Sequence, residues 1–153
     1  MCPLACPPGV SAFRPRFESG LLAPVLAHFA AEGYTLATEV PVNGRLADVV
    51  AARADEVVAV ELKLDDWRGA FRQATAYQVG ADRAFVALPL LVAAGVMHAP
   101  VFDQAGVGLL GVNHPKGDVR VLLPARRSGR HLPFMAAALR DAILAGAPPS
   151  ADA

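Results

Sequence analysis

The sequence predicts a single α/β domain in which helices flank a mixed β-sheet. Its 153 residues are 54% hydrophobic and 18% charged, a composition typical of a folded globular chain. The spacing of apolar residues alternates between helical and strand periodicity and predicts the order helix, three strands, helix, strand. Additional strands and a last helix follow, and no linker divides the chain.

The predicted first helix and the strands after it occupy the first half of the chain. Leu22 begins an i, i+3, i+4, i+7 apolar pattern that ends near Gly33, as expected for one buried helix face. Strands are then predicted at residues 34–42, 46–52 and 57–64. Asn43-Gly44 favours a hairpin turn between the first two strands, and a two-residue turn within 53–56 predicts antiparallel pairing of the last two.

The second half begins with an amphipathic helix that starts near Asp66, which is expected to cap it. The apolar run at 84–88 is typical of a strand buried on both faces. We then expect a helix at 90–98, strands at 107–112 and 119–123, and a helix at 134–144. The domain therefore covers residues 13–146, between a disordered tail at 1–12 and a second tail at 147–153.

Several functional classes find no support in the sequence. The four histidines are scattered without metal-ligand spacing, and neither a Gly-x-Ser-x-Gly turn nor a glycine-rich phosphate loop occurs. Cys2 and Cys6 lie too close together in the sequence for a disulfide between them to stabilise a core. A zinc site would need two further ligands. Residues 84–102 carry no charge but contain two prolines and a glycine, which disfavours a membrane span. With no signal peptide recognised, we expect a cytoplasmic protein without a membrane partner.

The charges also limit how the chain could bind a nucleic acid. The 14 basic and 14 acidic residues balance, so a polyanion would have to meet a local basic patch. The 31 alanines, and the 12 arginines against 2 lysines, are typical of a GC-rich bacterial coding sequence. One local excess lies between His114 and His131, where Arg126, Arg127 and Arg130 are candidates for phosphate contacts. The alternative is a solvated loop that offsets the acidic residues between 55 and 66.

The most informative residues are two acids and a lysine on the second and third strands. If residues 53 and 56 pair across their turn, Asp48 stands opposite Glu61, and Lys63 projects from the same strand face as Glu61. Opposed carboxylates repel, so the pair needs cations. Lys63 supplies one positive charge, and a divalent metal is the natural second. The alternative is an exposed edge with an ordinary ion pair, worth about 0–1 kcal/mol.

These residues resemble the signature of a nuclease family. Asp48, twelve residues, and then Glu61-Leu62-Lys63 resemble the motif of the PD-(D/E)xK superfamily, which has the restriction-endonuclease-like fold. Gln73 and Tyr77 in the following helix are similar to the Gln-x-x-x-Tyr motif of its RecB-like branch. The predicted order of elements matches that family's αβββαβ core. The motif's proline is replaced by alanine.

The resemblance implies a magnesium site, with Mn²⁺ as an alternative metal. Asp48 and Glu61 would be ligands together with the backbone carbonyl of Leu62, and hard oxygen ligands suit Mg²⁺. The family often adds an acidic residue from the first helix. Glu18 is the match for it, and Glu39 on the first strand is a rival.

The resemblance also implies roles for the remaining motif residues. Lys63 would orient or help activate the attacking water and stabilise charge on the phosphate. Gln73 and Tyr77 would orient that lysine or contact the substrate backbone.

The function expected from the resemblance is hydrolysis of DNA phosphodiester bonds in repair, recombination or restriction. A homodimer or a larger complex is compatible with this expectation. The alternative is a catalytically weak or inactive nuclease-fold module that binds DNA or serves as an accessory subunit. An intact Asp48, Glu61 and Lys63 favours the enzyme, whereas zero net charge leaves room for the binding module.

Overall fold

The computed structural model describes residues 18–146. The tails predicted at 1–12 and 147–153, with Cys2 and Cys6, lie outside the described residues, as does the start of the predicted domain.

The described part of the chain forms helices and strands in the predicted order. The helices are α1 (Ser19–Ala31), α2 (Trp67–Tyr77), α3 (Leu90–Val96), α4 (Pro100–Ala105) and α5 (Pro133–Leu144). The strands are β1 (Thr35–Val42), β2 (Arg45–Ala52), β3 (Val57–Leu62), β4 (Arg83–Pro89), β5 (Gly108–Asn113) and β6 (Asp118–Leu123). Helix α4 was not predicted, because it lies at the end of an apolar run that has no helical periodicity of its own.

The six strands form one mixed sheet in the order β1-β2-β3-β4-β5-β6. Neighbours β3, β4 and β5 are parallel, and the other neighbouring pairs are antiparallel. Every residue of β3 and β5 is buried, as expected for central strands covered on both faces. The predicted α/β class, with a mixed sheet flanked by helices, is therefore confirmed.

Two apolar cores lie on opposite faces of the sheet. Helix α1 packs against one face through Leu21, Val25 and Phe29. Helices α2 to α5 contribute to the core on the other face, in which Ala74 and Phe102 are fully buried. No helix between residues 18 and 146 is long and apolar enough to cross a membrane.

The hairpin of β2 and β3 has the register that its turn predicts. A backbone hydrogen bond of 2.9 Å closes the turn at 53–56, and the antiparallel pairs run from there to Val49 opposite Val60. Asp48 and Glu61 follow this last pair on adjacent strands. The two acids of the predicted motif therefore come together in the middle of the sheet.

The close packing between β4 and β5 can be tested at Gly108. A Cβ atom there would lie 2.4 Å from the Phe85 ring and 2.7 Å from the backbone nitrogen of Ala125. We expect Gly108→Ala to lower the free energy of unfolding by about 1–3 kcal/mol, measured by urea denaturation. Gly95→Ala is the matched control, since nothing lies within 4 Å of its Cβ position in α3, and it should gain up to about 1 kcal/mol. Equal effects would contradict this account.

Candidate active site

The candidate site begins where the β2–β3 ladder ends. Beyond the Val49–Val60 pair, the backbone N–H of Leu62 donates a hydrogen bond of 2.8 Å to Oδ2 of Asp48. A side chain thus occupies the place of a backbone acceptor, and the Asp48 carboxylate is held against β3 beside Glu61. The same interaction satisfies a buried backbone donor that the ladder no longer pairs.

Strand β1 is also irregular at this level of the sheet. Glu39 has φ of +53°, a left-handed conformation that is uncommon for residues other than glycine. It lies between the Thr38–Val49 and Val40–Ala47 pairs, and it does not itself pair with Asp48. Backbone strain of this kind is often found at functional sites.

A cleft of about 260 Å³ opens over this irregular region. Its walls come from the start of α1 and from β1, β2 and β3, and they consist of Glu18, Ser19, Leu22, Thr38, Glu39, Asp48 and Leu62. Both candidates for the additional acid, Glu18 and Glu39, therefore line the same cleft as Asp48.

Glu61 is buried and is held by α2. Glu61 is only 4% exposed, and its Oε2 lies 2.6 Å from the hydroxyl of Tyr77. The same hydroxyl lies 2.9 Å from the carbonyl oxygen of Leu46 and 3.3 Å from Oε1 of Gln73. The phenol has one proton for three acceptors, so it donates to Glu61 when that carboxylate is ionised. A protonated Glu61 could instead donate to the hydroxyl, which would then be released to donate to Leu46.

The predicted Gln-x-x-x-Tyr pair therefore meets at the Tyr77 hydroxyl. The structure brings Tyr77 to Glu61 and Gln73 to Tyr77, and it adds the Leu46 carbonyl as a partner that sequence reasoning missed. No side-chain pattern could have indicated a backbone oxygen.

The two carboxyl groups have raised pKa values for the same main reason. Burial raises the pKa of Glu61 to about 7; the Tyr77 hydrogen bond opposes this shift, and the Asp48 charge adds to it. Burial also raises the pKa of Asp48, against the hydrogen bond from Leu62, and the charge of Glu18 adds to the shift. The site therefore favours either bound protons or an added cation.

Lys63 supplies one cation near these groups. Strand β3 ends at Leu62, so Lys63 follows the strand rather than extending it to 64 as predicted. Its Nζ lies 3.5 Å from Oε1 of Glu18, and its charge reaches both Asp48 and Glu61. The structure thus joins residues from the start of α1, β2, β3 and α2 in one cluster.

The cluster contains oxygen donors of the kind that hard divalent cations bind. Asp48 and Glu61 lie on adjacent strands, where the charge of Asp48 raises the pKa of Glu61, and the carbonyl of Leu62 belongs to the residue between Glu61 and Lys63. Within residues 18–146 no group of three or more His, Cys, Asp or Glu side chains could hold a metal by itself. A set of two carboxylates is nevertheless typical of Mg²⁺, which retains several of its waters in proteins.

Arg126 and Arg127 lie away from this cluster. Nη1 of Arg126 is 3.0 Å from Oδ1 of Asp103, and Nη1 of Arg127 is 2.9 Å from Oδ1 of Asp82. Asp82 precedes β4, at the end of the sheet where β3 and β4 begin, whereas Glu61 lies near the other end of β3. The phosphate contacts proposed for Arg126 and Arg127 remain a prediction. Both guanidinium groups already have an acidic partner within the protein.

Arg130 has a different environment from the other two arginines of the loop. It is exposed, and its Nη2 donates a hydrogen bond to the backbone carbonyl of Thr75 in α2. Arg130 is therefore attached to the helix that carries Gln73 and Tyr77.

Comparison with known proteins supports the fold alone. No family model matches the chain, and no curated protein matches it. Among solved structures, the chain is similar to the SPO1766 protein of unknown function from Silicibacter pomeroyi, with a TM-score of 0.57 and 22% identity. The alignment covers 81% of this chain and 79% of that one. Any functional argument therefore depends on the site's own geometry.

The raised pKa of Glu61 predicts how metal-free stability depends on pH. The pKa of Glu61 rises from an ordinary 4.5 to about 7 on folding, so protonated Glu61 stabilises the folded state. Its contribution to the free energy of unfolding is fully present below pH about 4.5 and is lost as pH rises through about 7. Glu61→Gln stays neutral and should avoid that loss. In EDTA, its Tm relative to wild type should therefore increase from pH about 5 to pH about 8. Asp141→Asn, at an exposed position whose ion-pair partner is Arg140, controls for removal of one carboxylate, and a Glu61→Gln difference that is independent of pH would refute the assignment.

Tyr77→Phe tests the hydrogen bond itself. Because the Tyr77 hydroxyl lowers the pKa of Glu61, its removal should raise that pKa above its wild-type value of about 7. When Glu61 is protonated, the carbonyl of Leu46 also loses its donor, which should cost about 1–3 kcal/mol of stability at low pH. Carbon-13 NMR titration of the glutamate carboxyl groups would measure the shift. A pKa that stays constant or falls would show that the hydroxyl does not hold Glu61.

Proposed function

We propose that this protein is a metal-dependent nuclease of the PD-(D/E)xK type that hydrolyses phosphodiester bonds of DNA. The observation that carries the proposal is the side-by-side placement of Asp48 and Glu61 on adjacent strands, under negative charge that one lysine does not balance. An ordinary surface ion pair would not need two buried or half-buried acids with raised pKa values.

The acids would bind the metal in this proposal. Asp48 and Glu61 would hold Mg²⁺, or Mn²⁺, together with the backbone carbonyl of Leu62. When bound, the metal would supply Lewis-acid stabilisation of the phosphate and a more acidic water. The hydrogen bond from the N–H of Leu62 keeps one Asp48 oxygen fixed, so the position of that carboxylate is set before a metal arrives.

Lys63 would act on the water and on the phosphate. Its ammonium is a compact charge that can lie beside both groups, and Glu18 holds it at 3.5 Å on the side of the cleft. Tyr77 and Gln73 would keep Glu61 oriented, since the Tyr77 hydroxyl lies 2.6 Å from its carboxylate. This support of the acid differs from the lysine-orienting role that the resemblance implies.

The proposed setting is DNA repair, recombination or restriction in a bacterial cytoplasm. All residues of the proposed site belong to one chain, so a second copy is not needed to complete it. A homodimer or a larger complex remains compatible with this arrangement.

Lys63→Arg tests the catalytic part of the proposal. A guanidinium is larger than an ammonium and would displace the water, so cleavage should fall by about 10²-fold or more while the variant folds and binds metal. Plasmid nicking measures cleavage, and the increase of Tm on adding Mg²⁺ measures binding. Lys116→Arg is the matched control, because Lys116 is exposed in the turn before β6.

The outcomes separate the enzyme from its alternative. Full cleavage by Lys63→Arg would remove the role assigned to this residue. A wild-type protein whose Tm rises with Mg²⁺ but that nicks no plasmid would be the binding or accessory module instead. If Mg²⁺ shifts no Tm and supports no cleavage, the metal site itself is wrong.

A further inference from the structure

The solvent-exposed face of α2 carries a line of positive charge. Arg68 and Arg72 are exposed and four residues apart, and α2 contains no acidic residue. The third guanidinium comes from Arg130, which binds the carbonyl of Thr75, the next position on that face. We call Arg68, Arg72 and Arg130 the α2 arginine row. None of the three forms an ion pair with the residues between 18 and 146.

Two of these arginines are held in place by contacts within the protein. The guanidinium carbon of Arg68 lies 4.4 Å from the centroid of the Trp67 ring, which is itself stacked on Phe102 at 5.8 Å. Arg130 is fixed by its hydrogen bond to Thr75. Side chains that are ordered before binding lose less conformational entropy when a ligand arrives.

The length of the row suits a phosphodiester backbone. Residues 68 and 75 are seven positions apart, which is about 10 Å along a helix axis. One strand of a duplex presents a phosphate about every 3.4 Å along its axis. A row of this length can therefore contact more than one phosphate of the same strand.

The same helix connects the row to the candidate active site. Tyr77 lies on the opposite side of α2, and its hydroxyl is 2.6 Å from Glu61. A helix with its side chains is about 10 Å across, and the body of α2 therefore lies between the row and Glu61. The nearest acids in sequence, Asp65 and Asp66, precede the helix, and Asp66 accepts a hydrogen bond from Gly69 as the helix cap.

We propose that the α2 arginine row binds the sugar–phosphate backbone of the substrate nucleic acid on the outer face of the helix that holds Glu61. This inference rests on the proposed nuclease function and supplies its missing binding surface. The proposal assigns the main contact with the nucleic acid to the α2 arginine row. Arg126 and Arg127 are less available, because their guanidinium groups are paired with acids. On a chain with zero net charge, the row is the local basic patch that a polyanion requires.

The test measures binding without cleavage. Fluorescence anisotropy of labelled single-stranded and duplex oligonucleotides in EDTA would be recorded over a range of salt concentrations. We expect the triple variant R68Q/R72Q/R130Q to reduce the slope of log K against log salt by about 2 for single strands and about 3 for duplexes. The double variant R68Q/R72Q, which disturbs no ion pair, should reduce it by about 1.4 for single strands.

A matched control removes the same charge elsewhere. R120Q/R140Q, matched to R68Q/R72Q, replaces two arginines that pair with the acids Asp118 and Asp141, and it should change the slope by less than about 1. Equal losses in both double variants would mean that bulk charge governs binding, which overturns the row. Unchanged slopes in the row variants would also overturn the proposal. So would a protein that binds anionic lipid vesicles but does not bind nucleic acid.

The result is separable from that of the proposed function. Metal-dependent nicking by the wild type with unchanged row slopes would retain the nuclease and reject the row. Row-dependent binding without nicking would retain the row as a nucleic-acid surface and reject the nuclease.

Discussion

The hydrogen bond from the backbone of Leu62 to the Asp48 carboxylate is the constraint on which the candidate site depends. It replaces a ladder contact at the point where β2 and β3 stop pairing, and it places Asp48 beside Glu61 without leaving the buried N–H unsatisfied. The cleft opens at this same level, where Glu39 also interrupts the pairing of β1.

Two buried glutamates at opposite ends of β3 differ in how their negative charge is compensated. Burial alone would raise the pKa of Glu56. Its carboxylate accepts hydrogen bonds from Tyr34, Arg53 and Arg83, and these donors lower the pKa instead. Glu61 has only the Tyr77 hydroxyl as a close donor among the described residues, and its pKa is raised to about 7. The fully compensated acid is structural, whereas the undercompensated acid is the one to which the proposed function assigns a metal ion.

The arginines divide in the same way between structural and available groups. Arg127 pairs with the buried Asp82, which also accepts a hydrogen bond from the N–H of Val57. Through Asp82, Arg127 attaches the loop before α5 to the end of the sheet where β3 and β4 begin. Arg68 and Arg72 are instead held by the helix and face solvent. On a chain without excess charge, the residues that remain unpaired decide where a polyanion can bind.

The amino-acid sequence by itself determined the order of elements apart from α4, the hairpin register that sets Asp48 opposite Glu61, and the cap of α2 at Asp66. These features depend on short-range spacing, in which periodicity and turn length leave few alternatives. Only the tertiary structure decided that Tyr77 meets Glu61 and the Leu46 carbonyl, that Glu18 reaches Lys63, and that Arg127 is paired with Asp82 while Arg130 joins α2. Such contacts join residues far apart in the chain, and they follow from how the helices pack on the two faces of the sheet, which no local pattern encodes.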